Sequence, residues 1–195
     1  MRLPASVVHV PEVKQETDYS CGAAAALSVL RLWRPADFAR TTEQELYTPL
    51  HTTPAGGTEP EPITEYLRSV AGLDARYVHG DVTLTQLERA VDAGEPPILD
   101  LQAWRDAPEP WREVWDAGHY VILVGYDATD LYVMDPSVLT RGAYAHFPLA
   151  ELDERWHDVA GEHNARLERM TIFVRGAGPR WAPGGDPPRT AVRLG

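Results

Sequence analysis

The stretch from Gly118 to Met134 constrains this chain more than any other. Tyr120-Val121-Ile122-Leu123-Val124 is an unbroken apolar run rich in β-branched residues, and the spacing predicts a buried strand over 118–126. Asp127-Ala128-Thr129-Asp130 has turn chemistry, and Leu131-Tyr132-Val133-Met134 is the expected return strand. Other strands are expected at Val7 to Val13 (broken by Pro11), Asp74 to Val78, Pro97 to Leu101 and Met170 to Val174.

Helical patterns sit mostly earlier. Cys21 to Trp33 reads as a helix, with four alanines of high helix propensity and an apolar face through Leu27 and Leu30. Ser20 is its expected N-cap, and Pro35 ends it. A short capped helix is expected at Thr41 to Leu46. Ile63 to Ala71 and Thr83 to Ala93 are each closed by a glycine, and Leu149 to His157 also reads as helical. His51 to Pro62 is loop-like. Helices early and strands late favour an α+β arrangement over an alternating one. Gly176 to Gly195 is rich in Gly and Pro and is expected to be a loose or extended tail. The expected organisation is one domain over 1–175 and a tail over 176–195.

Composition excludes several functions. The 195 residues carry a net charge of −11, and Lys14 is the only lysine. That excludes a phosphate-binding surface for nucleic acid. The apolar run is far too short to span a bilayer, and the N-terminus lacks the pattern of a signal peptide. One cysteine makes neither an intramolecular disulfide nor a Cys-rich zinc site. A lone reduced thiol suits the cytoplasm.

Cys21 opens a helix after a polar loop and precedes Gly22. A free cysteine is often only a small buried hydrophobe. At a helix start, however, unpaired N–H groups and the helix dipole favour the thiolate, which is the nucleophile. A thiolate nucleophile needs a base and the base needs an orienter. Of seven histidines, six lie in loops, strand edges or polar helix. His119 stands directly before the buried run, where scaffolds display functional groups, although it could simply cap the strand. Asp135 ends the return strand before Pro136, and could instead initiate a turn. If Gly125 faces Leu131, His119 and Asp135 share a sheet face as diagonal neighbours. If Tyr126 faces Leu131, they point to opposite faces. Bringing the two together therefore requires an odd-length connection or a bulge. Gln15, six residues before Cys21, could donate its amide to an oxyanion beside the Cys21 N–H.

Three segments then carry a resemblance: Gln15-Glu16-Thr17-Asp18-Tyr19-Ser20-Cys21-Gly22-Ala23-Ala24, Gly118 to Tyr126, and Leu131-Tyr132-Val133-Met134-Asp135-Pro136. Together they resemble the bacteriocin-processing peptidase family, papain-like enzymes that include double-glycine leader peptidases. The resemblance spans about residues 8 to 175. It implies a papain-like fold, with an N-terminal helical part carrying the cysteine helix packed on a C-terminal antiparallel β-sheet. It implies Cys21 as nucleophile, His119 as general base and acid, Asp135 as orienter and Gln15 at the oxyanion hole. The expected activity is hydrolysis of a peptide or protein amide through a thioester, without cofactor or metal. Acyl transfer by the same residues and a catalytically inactive binding module are the alternatives. The chain shows no membrane-spanning segment and no GxxxxGK[ST] loop, so fusion to an ABC transporter is not expected.

Two features stay open. Ala103 to Trp115 holds three tryptophans, which suit a wall beside the site or ordinary core packing. His157, Asp158, Glu162 and His163 are ligand-type residues, but the two histidines are six apart and do not share a helix face. A metal site there is not expected, and no G-x-S-x-G context offers a serine nucleophile.

Overall fold

Residues Cys21–Trp33 form helix α1, and almost every side chain on it is buried. Four consecutive alanines keep one stretch of the helix slim, so neighbours pack close to its backbone. Leu27, Leu30 and Leu32 fill the space on its flanks, each contributing about 1.5–3 kcal/mol by burial. Ser28 is also buried, and its hydroxyl donates to Pro11 O at 2.6 Å, which removes the cost of an unpaired polar group. The computed structural model describes residues 1–106, 108–137, 144–160, 165–178, 180–184 and 189–195.

After α1 come two short helices, α2 Pro35–Phe38 and α3 Gln44–Tyr47, and then α4 Pro60–Ser69. Helix α4 begins three residues earlier than its apolar pattern predicts, because Pro60 occupies the first helical turn, where a missing N–H costs nothing. Strand β1 (Asp74–Val78), helix α5 (Leu84–Asp92) and strand β2 (Ile98–Gln102) follow. Thr83 and Gln86 cap the N-terminus of α5 with a reciprocal capping box. Strands β3 (Gly118–Tyr126), β4 (Asp130–Met134) and β5 (Tyr144–Pro148) form a meander. Helix α6 (Leu152–Arg155), β6 (His157–Ala160), β7 (Ala165–Glu168), β8 (Thr171–Arg175) and β9 (Val192–Arg193) complete the described elements.

Seven strands form one sheet in the order β1-β8-β2-β3-β4-β5-β9, antiparallel except for the β5–β9 pair. Strands β6 and β7 pair separately. The sheet divides the core. Ile122, Val124, Tyr132 and Met134 pack towards α1. Val121, Leu123, Leu131 and Val133 pack on the other side with Leu87, Val91, Phe147 and Trp156. This is the period-two alternation of a strand with both faces covered.

Three expectations change. Residues 7–13 form no strand. Val8 N donates to Val124 O at 2.8 Å, but Pro4 and Pro11 interrupt the donors that a ladder needs. Leu149 to His157 is not one helix: a 3₁₀ turn at Leu149–Glu151 leads into α6, and β6 begins at His157. The described residues after 175 are extended and tied down rather than loose. Trp181 N donates to Leu32 O, Ala191 N to Met1 O and Leu194 N to His146 O, and Leu194 is buried.

Candidate active site

Among the described residues, no strand pairs with one edge of residues 118–121 of β3. Strand β4 pairs with β3 only as far as Ile122–Met134, after which the chain turns away at Pro136. Leu123 N donates to Pro97 O, on the β2 side. By alternation, the Tyr120 N–H points to the edge that β4 leaves open. The start of α1 lies at this notch, and the Tyr120 and Gly22 amides both favour the Cys21 thiolate.

The hairpin contains a bulge, one of the two irregularities that a meeting of His119 and Asp135 requires. Tyr126 faces Leu131 and Gly125 faces Tyr132, but beyond a bulge at Val124 the register becomes Leu123–Val133 and Ile122–Met134. One extra residue on β3 swaps the facing of everything before it. Val8 N satisfies the Val124 carbonyl. A Cβ on Gly125 would lie 2.7 Å from a Val7 methyl, so glycine lets the N-terminal segment seal the bulge.

His119 and Asp135 consequently meet. Nε2 of His119 lies 2.7 Å from Oδ1 of Asp135, and both side chains are buried. The same Oδ1 accepts from Ser137 N and Ser137 Oγ, each at 2.8 Å. The imidazole also packs on Trp104, with ring centroids 4.9 Å apart. With Nε2 engaged by Asp135, Nδ1 is the nitrogen left for Cys21.

The electrostatics favour an ion pair. Burial opposes a charged imidazole, but hydrogen bonds to Asp135 and Cys21 and their negative charges prevail, lifting His119 to about 10. Burial likewise opposes the Cys21 thiolate, yet the hydrogen bond and charge of His119 and two backbone N–H groups hold its pKa below the ordinary value. Asp135 is also held below the usual carboxylate range: burial acts against it, and His119 and Ser137 overcome that.

Ser20 occupies the N-cap position of α1 without capping it. Its hydroxyl instead accepts from Thr17 N at 3.1 Å. The first amides of α1 thereby stay available to an anion. A Cβ on Gly22 would lie 2.8 Å from Thr58 Cβ and 3.1 Å from Tyr120 Cδ2, so this glycine allows both to close on the helix start.

Gln15 is placed beside the site by its backbone, since Gln15 N donates to Pro136 O at 3.0 Å. Its side chain does less than the sequence suggests. Nε2 donates to Thr17 O at 2.6 Å, and Oε1 is buried with no partner among the described residues. One Nε2 hydrogen remains uncommitted.

The Trp-rich segment divides its roles. Trp104 covers His119 while staying half-exposed, Trp111 is buried against the Arg155 guanidinium, and Trp115 lines a cleft that opens at Cys21. His157 bonds Val114 O through Nε2, and Asp158 bonds Gln102 and Val159. Glu162 and His163 lie outside the described residues. Among the described residues no cluster of three metal-ligating side chains occurs, and no helix is long and apolar enough to cross a membrane.

A helix-borne cysteine set against an antiparallel sheet is the arrangement of papain-like cysteine peptidase folds. The chain belongs to the Peptidase_C39 like family, whose profile matches residues 7–163. Among solved structures, a putative C39-like peptidase from Bacillus anthracis superposes with a TM-score of 0.60 at 16% identity, covering 91% of this chain and 100% of that one. The peptidase domain of Streptococcus ComA, a bifunctional ABC transporter involved in quorum sensing, gives 0.56 at 18% identity over 87% and 100%. A double glycine motif protease from an AMS/PCAT transporter, in complex with its leader peptide, gives 0.55 at 14% identity over 90% and 98%. At these identities the likeness speaks for the fold. No curated protein matches the chain.

Asp100 and Asp158 also line the cleft at Cys21, and the sequence analysis did not place them there. Asp100 is a carboxylate between the apolar Leu99 and Leu101, a signal that was legible. Asp158 drew notice only as a metal-ligand type, because its position depends on β6 folding back onto β3.

Proposed function

We propose that this protein is a cysteine peptidase that hydrolyses a peptide amide through Cys21, His119 and Asp135. The 2.7 Å bond from His119 to Asp135, with Cys21 left to the other ring nitrogen, carries the reading. The Cys21 thiolate attacks the amide carbonyl and forms an S–C bond. The oxyanion is received by the Cys21 N–H and the free Nε2 hydrogen of Gln15. Collapse breaks the C–N bond, and the departing amine takes the proton from His119. Water then attacks the thioester, giving one proton to His119, and the acid leaves as the thiol side regains its ion pair. A lone reactive thiol suits a reducing compartment.

The test is product analysis. The purified protein is incubated with a peptide mixture, with and without a large excess of a small primary amine, and the products are weighed by mass spectrometry. Free carboxylate termini in both samples support hydrolysis. Products carrying the added amine in place of water would assign acyl transfer instead. No Cys21-dependent product would leave the binding-module reading.

Gln15→Ala should lower kcat by about 10²–10³, the usual cost of one oxyanion donor. The iodoacetamide reactivity of Cys21 should stay within about twofold, because Gln15 contributes nothing to the thiolate in the ground state. A parallel fall in both would place Gln15 in the structure of the loop rather than at the oxyanion.

A further inference from the structure

The cleft at Cys21 holds about 290 Å³, roughly the low end for a small-ligand pocket. Its wall contains Asp18, Glu59, Asp100, Asp116 and Asp158, and no lysine or arginine among the described residues. Acidic residues at a rim are ordinary in a chain of net charge −11. Asp100 is not ordinary. It is only 4% exposed and lines the cleft; Asp158 and Tyr120 hydrogen-bond its carboxyl group, yet Oδ1 finds no N–H or O–H donor among the described residues.

Asp158 is built into the same wall. Its Oδ1 accepts from Gln102 Nε2 at 3.0 Å and from Val159 N at 2.8 Å. Gln102 is itself buried and held by Ala117 N at 2.9 Å. The Asp158 carboxylate lies so close over β3 that a Cβ on Gly118 would fall 1.7 Å from Oδ2. Glycine at 118 is what admits it. Burial, the Asp158 charge and the Cys21 thiolate together raise Asp100 well above the carboxylate range, and Asp158 is raised chiefly by burial. Asp100 therefore keeps its proton and shares it with Asp158 in a side-chain hydrogen bond, so the pair carries one negative charge in the cleft wall, and a cation beside it would let both carboxyl groups ionise.

We infer that this cleft receives a cationic side chain of the substrate, lysine or arginine, at a residue flanking the scissile bond, with Asp100 and Asp158 as its counter-charges. The inference rests on the peptidase reading for the word substrate, but the charge preference of the cleft is a property of its own. Tyr120 and Trp115 also line the cleft and give its wall apolar surface for the aliphatic stem. Arg166 covers Trp115 at 4.6 Å without joining the cleft wall. On binding, the cation replaces the proton that Asp100 holds, which passes to solvent.

The single cysteine allows a direct test that needs no turnover. Cys21 is modified with 2-aminoethyl methanethiosulfonate, a cation, and with 2-sulfonatoethyl methanethiosulfonate, an anion. Each rate is divided by that of 2-mercaptoethanol with the same reagent. The normalised cation-to-anion ratio should exceed one by about tenfold or more at 0.5 M salt, where distant charges are screened. Asp100→Asn/Asp158→Asn should bring it towards one. Asp37→Asn/Glu65→Gln, which removes at least as much negative charge from exposed residues elsewhere, should leave it high. If the buried pair fails to fold, Asp18→Asn/Asp116→Asn at the rim should still lower the ratio by several-fold. A ratio near one in the unaltered protein, or equal losses from the cleft and remote variants, overturns the inference. In a peptide digest, Lys or Arg should be enriched on one side of the cut in N-acetylated peptides. Cleavage confined to free amino termini would overturn the side-chain assignment in favour of an α-amine. Absence of cleavage beside a high charge ratio would defeat the peptidase reading alone.

Discussion

Cys21→Ala is expected to abolish peptide hydrolysis while leaving the fold in place. Removing a nucleophile that works with a paired base costs on the order of 10⁶ in kcat, leaving only what binding and oxyanion contacts contribute. No other thiol exists to substitute for it. The fold should survive because Cys21 is partly exposed, and the core of α1 lies in Ala23 to Trp33. Alanine also has the better helix propensity. The change in stability should stay within about 1 kcal/mol. Cys21→Ser should be nearly as inactive, since a hydroxyl is far less acidic than a thiol and the imidazolium cannot hold it ionised. The measurements are peptide cleavage by mass spectrometry and a thermal melt on the same samples. Turnover surviving in the alanine variant would remove Cys21 from the mechanism.

How much of this was legible depends on whether a feature is local. Helix α1 was readable because its alanines, its leucines and Pro35 agree within thirteen residues. The β3–β4 hairpin was readable because its apolar run is continuous. Its bulge followed only conditionally, from demanding that His119 and Asp135 meet, although Gly125, an isolated glycine inside the strand beside Val124, was a local signal for one. The position of Ser20 was legible but its bonding was not. Its hydroxyl finds Thr17, three residues back, in a loop whose shape sequence does not specify. Strands β6 and β7 were missed because they are four residues each with no apolar alternation, and β9 because two residues carry no pattern at all. The acidic cleft was the least accessible. Asp100, Asp116 and Asp158 come from separate segments of the chain, and only the folding of β6 onto β3 at Gly118 joins them. The family resemblance supplied Cys21, His119 and Asp135 through their motifs. It supplied nothing about this wall.

His119→Ala is expected to lower kcat by about 10⁴–10⁶ and, separately, to move the acid limb of Cys21 alkylation to higher pH. In the unaltered protein the His119 hydrogen bond and charge hold the thiol below its ordinary value. The thiolate, and with it the iodoacetamide rate, should therefore persist below the free-thiol range of about 8.5 and fall only as pH drops through the lowered value. Without His119 the opposing effect of burial is left, so the midpoint rises and the rate near pH 7 drops steeply, recovering in alkali. The alkaline side reports His119 itself. It must hold a proton to release the amine, and it loses that proton as pH rises through about 10, so kcat/KM should decline there. Asp135→Asn separates charge from geometry. The amide oxygen still accepts from Nε2 and from Ser137, but the carboxylate charge that raises His119 is gone. Its alkaline limb should move to lower pH, with a smaller loss of activity than His119→Ala. That variant also keeps the buried volume, which controls for the cavity His119→Ala opens under Trp104. Identical alkylation profiles for the unaltered protein and His119→Ala, at matched thermal stability, would show that no ion pair links Cys21 to His119.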